Sequence, residues 1–119
     1  MSHLVTIETQ VRDPVAVSAA CARLQLAPPL HRTVRLFSSE ATGLAVELPG
    51  WRYPVVCDTA AGRLHYDNFD GRWGDPVELQ RFQQRYAAEK TLIEVRRTGH
   101  VVTEHTLTDG SIRIAIQAG

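Results

Sequence analysis

Apolar and polar positions along this 119-residue chain fall into runs of two periods, and the order of those runs sets the expected fold. His3, Val5, Ile7, Thr9 and Val11 alternate with Leu4, Thr6, Glu8 and Gln10, which predicts a half-buried strand. Asp13-Pro14 then supplies an N-cap and a first-turn proline, and Val17, Ala20, Cys21 and Leu24 recur at helical spacing. A short helix should therefore pack one stripe on a sheet and stop before Pro28-Pro29. Between Thr33 and Tyr66 the runs shorten and are punctuated by Gly43, Pro49-Gly50 and Ala61-Gly62. They predict strands from Thr33 to Phe37, Leu44 to Leu48, Tyr53 to Cys57 and Arg63 to Tyr66. Val34, Leu36, Leu44, Val46, Leu48, Val55, Cys57, Leu64 and Tyr66 are the inward candidates, and short turns imply an antiparallel meander.

A polar loop from Asp67 to Gly74 leads into the strongest signal. Asp75 stands at an N-cap, Pro76 at the first helical position and Glu78 as the reciprocal capping partner. The helix should close at Arg96-Arg97-Thr98-Gly99, with cations at its negative end and a glycine free to turn left-handed. Leu79, Phe82, Tyr86 and Ile93 form one stripe on it, and Ala88, Leu92 and Val95 form a second, a width suited to lying on a sheet. Asp109-Gly110 predicts a two-residue type I′ hairpin that pairs Leu107 with Ile112, His105 with Ile114 and Thr103 with Ile116. The order is β-α-β-β-β-β-α-β-β. It describes a single α+β domain over residues 1–119, a two-layer sandwich of a mostly antiparallel sheet with helices on one face.

Charge narrows the function classes. Acidic and basic residues number 13 each, without the net basic footprint of a nucleic-acid binder, so nucleic acid is not an expected partner. Arg81, Arg85, Lys90, Arg96 and Arg97 share the long helix and read as a solvated face. The start lacks the pattern of a secretion signal and no window approaches a membrane span, which points to a cytosolic protein without a membrane partner. Cys21 and Cys57 show no Cys-x-x-Cys spacing and read as small buried hydrophobes.

The chain offers parts of active sites rather than an assembly. His100 and His105 sit at an odd separation on one strand and face opposite ways; His31 falls in a proline-flanked loop, and His65 points to solvent or a neighbour. Met1-Ser2-His3 could wrap copper, but serine in second place favours loss of Met1, and His3 reads as a buried strand residue. Ser38-Ser39-Glu40 lacks a nucleophile elbow, and Asp67, Asp70 and Asp75 have the spacing of turn chemistry rather than of a cation loop. No catalytic residue, metal or cofactor is therefore expected. The aromatic residues Trp51, Tyr53, Tyr66, Phe69 and Trp73 crowd together, and Trp51-Arg52 and Arg72-Trp73 have the composition of an interface anchor or, equally, of core lids.

Both chain ends carry a family resemblance: Met1-Ser2-His3-Leu4 through Ile7-Glu8-Thr9 and Asp13, then Gln84-Arg85-Tyr86-Ala87, Gly99-His100-Val101-Val102-Thr103-Glu104 and Asp109-Gly110-Ser111-Ile112-Arg113. These resemble the small conserved proteins of cyanobacteria and red-algal plastids called hypothetical chloroplast reading frame thirty-five, a domain of unknown function also found in other bacteria. The middle departs from that family, whose glycine- and tyrosine-rich strand and aspartate-tryptophan exit are echoed loosely by Trp51-Arg52-Tyr53 and Asp70-Gly71-Arg72-Trp73. The resemblance implies a compact α+β fold without an assigned activity. It also implies company with AAA-type ATPases in bacterial gene neighbourhoods, beside another small protein and a ferredoxin.

The expected function is a non-enzymatic interaction or adaptor module whose partner is a protein such as an AAA-type ATPase. The expected binding residues are Trp51, Trp73, Arg85 and Tyr86, with Arg85 available to a carboxylate or phosphate through its planar fork. The alternative is a small-molecule-binding or catalytic domain with a pocket between sheet and helices. The strand from Ser111 to Gln117 has few edge-blocking residues, which suggests a homodimer.

Overall fold

The computed structural model describes residues 4–99 and 101–117. The described residues form an α+β sandwich in the expected order: β1 (Val5–Glu8), α1 (Pro14–Arg23), β2 (Leu30–Arg35), β3 (Glu40–Val46), β4 (Val55–Asp58), β5 (Arg63–Tyr66), α2 (Pro76–Arg97), β6 (Val101–Thr106) and β7 (Ile112–Gln117). Every pairing is antiparallel. Five strands form one sheet in the order β1-β5-β4-β3-β2, while β6 and β7 form a separate two-stranded sheet. His3 and His100 lie outside the described residues.

Both helices begin as their caps dictate. The Asp13 and Asp75 side chains accept hydrogen bonds from Val15 N and Val77 N, and a proline follows each cap. Glu78 does not complete a reciprocal box with Asp75; its carboxylate pairs with Arg81 at 3.2 Å. At the far end of α2, Gly99 turns at φ +81° and donates to Arg96 O. Helix α1 stops in the same way without glycine: Gln25 adopts φ 58°, with Gln25 N donating to Ala22 O and Leu26 N to Cys21 O.

The core fills the space between helices and sheet. Val17, Ala20 and Cys21 of α1 and Leu79, Phe82 and Tyr86 of α2 meet Val46, Val55, Cys57 and Leu64 of the sheet. Fully burying one such large apolar side chain is worth about 1.5–3 kcal/mol. The Tyr86 hydroxyl adds a polar tie, since it accepts from Arg12 N and Asp13 N, each at 3.0 Å, and donates to Gln10 O at 3.2 Å. One side chain thus fixes the path from β1 into α1.

Three expectations change. Gly43 lies inside β3 rather than in a turn, because the backbones of β3 and β4 approach closely there: a Cβ on Gly43 would stand 2.5 Å from Cys57 O. The β2–β3 turn falls instead at Ser38-Ser39, where Leu36 N donates to Ser39 O, and His31 consequently sits in β2 opposite Leu44. Second, Val34 and Leu36 do not face the helices. With Ala41, Ala45 and Val56 they form another buried cluster, which Tyr53 packs against, so the sheet is apolar on both faces here.

Third, the hairpin turn is longer than two residues. Gly110 is left-handed at φ +87°, but Asp109 is not, so a type I′ turn is excluded. Gly110 N donates to Leu107 O and Leu107 N to Ser111 O, which gives a type I turn followed by a glycine bulge. The register moves by one residue, to Thr106 with Ile112, His105 with Arg113 and Glu104 with Ile114. That shift turns Glu104 toward α2. The hairpin packs on α2, where Ala88, Glu89 and Leu92 are buried outside the main core, so the second apolar stripe meets this small sheet instead of the large one.

Asp13 generates a pH prediction. Its carboxyl is held below its ordinary value, first by the hydrogen bond from Lys90 Nζ at 2.9 Å, against which burial acts, and then by the Val15 amide. A depressed carboxyl contributes stability that is complete above its unfolded pKa and is lost as pH falls through the folded one. The expected result is an acid limb that starts at about pH 4 and steepens below it. Asp13→Asn keeps the capping oxygen but not the charge, so urea midpoints measured against pH should show a shallower acid decline.

Candidate functional site: an aromatic loop capped by arginines

The residues that join β5 to α2 are held in a tight turn. Asn68 O accepts from Gly71 N and Trp73 N, and Asn68 Nδ2 donates to Gly74 O at 3.2 Å. Asp67 Oδ1 accepts from Phe69 N, which leaves Asp67 Oδ2 buried without a hydrogen-bond partner among the described residues. Phe69 and Asp70 adopt φ 48° and 53°, a left-handed conformation costing an ordinary residue roughly 1–2 kcal/mol, and the bonds of Asn68 hold them there. The segment before β4 docks alongside, with Arg52 N donating to Trp73 O at 2.8 Å.

Trp51 and Trp73 share this place but face different surroundings. The Trp51 indole covers Gly74 so closely that a Cβ there would lie 2.3 Å from Cδ2; its Nε1 donates to Asp75 O, and its ring meets Tyr66 edge-on at 5.7 Å. Trp51 is thus a lid on the main core. Trp73 collects the other aromatic side chains. It stacks on Phe69 at 4.7 Å and 23°, meets Phe37 at 5.4 Å and meets Tyr53 edge-on at 5.9 Å. The Arg52 guanidinium lies 4.7 Å over Trp73, and that of Arg72 lies 5.0 Å over Phe69. Phe37 is 54% exposed, and neither Arg52 nor Arg72 pairs with a carboxylate among the described residues.

Arg85 and Tyr86 belong elsewhere. Tyr86 is buried and its hydroxyl is occupied by the backbone of residues 10–13. Arg85, whose side chain is only 11% exposed, pairs through Nη2 with Glu104 Oε1 of the hairpin and stands 3.6 Å from Glu89. Arg23 joins the group, 3.0 Å from Glu89 and 3.7 Å from Glu104. Neither the Arg23 nor the Arg85 approach to Glu89 Oε1 is aligned as a hydrogen bond. Two arginines and two glutamates therefore tie α1, α2 and β6 together, and the fork of Arg85 is already engaged.

The remaining candidates take structural places. Burial pushes the Cys21 thiol up to about 11 and the Cys57 thiol, with a contribution from Cys21, up to about 12. At neutral pH both stay protonated and weakly nucleophilic. His65 Nδ1 lies 2.9 Å from Thr6 Oγ1 across the sheet, and Ser38-Ser39 forms a turn. Among the described residues no three His, Cys, Asp or Glu side chains group to hold a metal ion, and no helix is long and apolar enough to cross a membrane. Core side chains occupy the space between sheet and helices, and an open groove lies instead beside the hairpin. This groove of about 320 Å³ is lined by Leu24, Ile112, Thr106, Arg23, Arg81 and Arg85, among others.

No family model, curated protein or solved structure matches the chain.

Residues adjacent to the expected site complete it. Arg52 and Arg72 were visible only as neighbours of the tryptophans, and Phe37 only as the end of a strand; Arg52 and Phe37 reach Trp73 from distant segments, while Arg72 lies over Phe69 through the turn of the loop itself. Glu89 and Glu104 carried no signal, because the hairpin register that brings Glu104 to Arg85 differs from the one the Asp-Gly pair suggests.

Two substitutions test this geometry. Gly74→Ala must displace Trp51, with an expected cost of about 2 kcal/mol from overpacking, seen as a lower urea midpoint and a red-shifted tryptophan emission. Arg85→Leu leaves Glu89 and Glu104 with only Arg23, at an expected cost of about 2 kcal/mol. Hydrogen exchange should then accelerate in β6 and β7 before it changes in β3 and β4.

Proposed function

We propose that this chain is a non-enzymatic interaction module that docks a protein partner through the loop built around Trp73. The observation that carries the reading is the aromatic group of exposed Phe37 and half-buried Tyr53, Phe69 and Trp73, flanked by two arginines without carboxylate partners among the described residues. Tryptophan, tyrosine and arginine are the side chains on which interface energy concentrates. The resemblance of the chain ends to the reading-frame-thirty-five family supports an AAA-type ATPase as the partner. The two free cysteines fit a cytoplasmic setting, and the outer edges of β6 and β7, unpaired among the described residues, support a twin subunit as a further contact.

One observation favours a second reading. The groove of about 320 Å³ beside the hairpin combines an apolar floor of Leu24 and Ile112 with a rim of Arg23, Arg81 and Arg85, whose charges are met by glutamates of the chain, a composition suited to a small, largely apolar molecule.

Native mass spectrometry on a tagged chain recovered at native expression tests both. The expected outcome is a stoichiometric protein partner whose affinity falls roughly tenfold in Phe37→Ala, a change at an exposed side chain. Recovery of the chain alone overturns docking, and recovery with a bound small molecule selects the groove.

A further inference from the structure

The inference drawn here rests on the docking reading and concerns the chemistry of the partner. Contacts along the loop run in one series: the Arg52 guanidinium over Trp73, Trp73 stacked on Phe69, and Phe69 beneath the Arg72 guanidinium. Each ring of the series has two stacking partners, while Phe37 and Tyr53 meet Trp73 tilted and edge-on. A nucleobase needs a free aromatic face, and neither ring of the series offers one. What remains open is the edge of each cation.

A guanidinium laid over a ring keeps its N–H donors in its own plane, directed past the ring rather than into it. Those donors form a fork that matches the two oxygens of a carboxylate. Arg23, Arg32, Arg63, Arg81, Arg85 and Arg97 spend their charge on glutamates within the chain; the exposed Arg12, Arg35, Arg52, Arg72, Arg96 and Arg113 do not among the described residues, and of these Arg52 and Arg72 are the pair laid over aromatic rings. The rings also hold the two forks in place before any ligand arrives, which lowers the ordering cost of binding. We propose that Arg52 and Arg72 receive the carboxylates of an acidic segment of the protein partner, with Phe37 supplying an apolar contact beside them.

Fluorescence anisotropy with a labelled peptide rich in aspartate and glutamate and carrying one leucine tests this, run against its asparagine–glutamine counterpart and a single-stranded oligodeoxynucleotide of equal charge. The acidic peptide should bind and its neutral counterpart should not. Arg52→Ala and Arg72→Ala should each weaken binding by about tenfold, and Arg52→Lys, which keeps the charge but loses the fork, should recover only part of the loss. Unchanged circular dichroism in these surface variants separates lost binding from lost folding. Absence of peptide binding, equal binding by the double alanine variant, or tighter binding of the oligonucleotide overturns the proposal. If the natural partner is recovered and still holds the double variant, the carboxylate chemistry fails while docking through the loop stands; if no partner is recovered, the docking reading itself fails.

Discussion

Helix α2 carries apolar side chains over more of its circumference than one sheet covers. Leu79, Phe82 and Tyr86 enter the core under the five-stranded sheet, whereas Ala88 and Leu92 are buried on the side toward the hairpin. The hairpin is too small to be stable alone, and the exposed stripe would be a liability without it. Each therefore completes the other. The rest of the molecule follows from this double cover: Tyr86 reaches through to the β1–α1 junction, Lys90 reaches the cap of α1, and Arg85 bridges Glu89 and Glu104 on the far side.

The four-membered group of Arg23, Arg85, Glu89 and Glu104 shows how a residue that looks functional in a sequence can be structural. Lone buried charges are costly, and removing one member leaves its neighbours uncompensated, so the loss of one residue costs more than the intact group contributes. A hairpin that slid by one residue along α2 would withdraw Glu104 from Arg85. The same logic sets the arginines neutralised by carboxylates of their own fold apart from Arg52 and Arg72, which rest on aromatic rings.

Much of the fold was legible because local rules and tertiary structure agree where the chain is regular. Both caps with their prolines, the glycine at position 99, the strand from Arg63 to Tyr66 and the order of all elements follow from propensity and period. Legibility failed where a residue type has two uses. Gly43 reads as a turn but serves a close backbone approach, and Asp109-Gly110 reads as a type I′ turn but forms a bulge. Val34 and Leu36 alternate correctly yet face the second cluster, since period 2 says nothing about which face a partner will cover. For the candidate site, composition indicated the aromatic segment, while the stacking order of Arg52, Trp73, Phe69 and Arg72 depends on the left-handed turn at Phe69-Asp70, which no propensity rule requests.

Trp51 and Gly74 are separated by the whole of β4, β5 and the turn, yet their packing binds them into one unit. No residue with a Cβ fits at position 74 while the indole lies where it does, and no smaller ring at position 51 would cover the same core and still donate to Asp75 O. Change at either position is therefore conditional on change at the other.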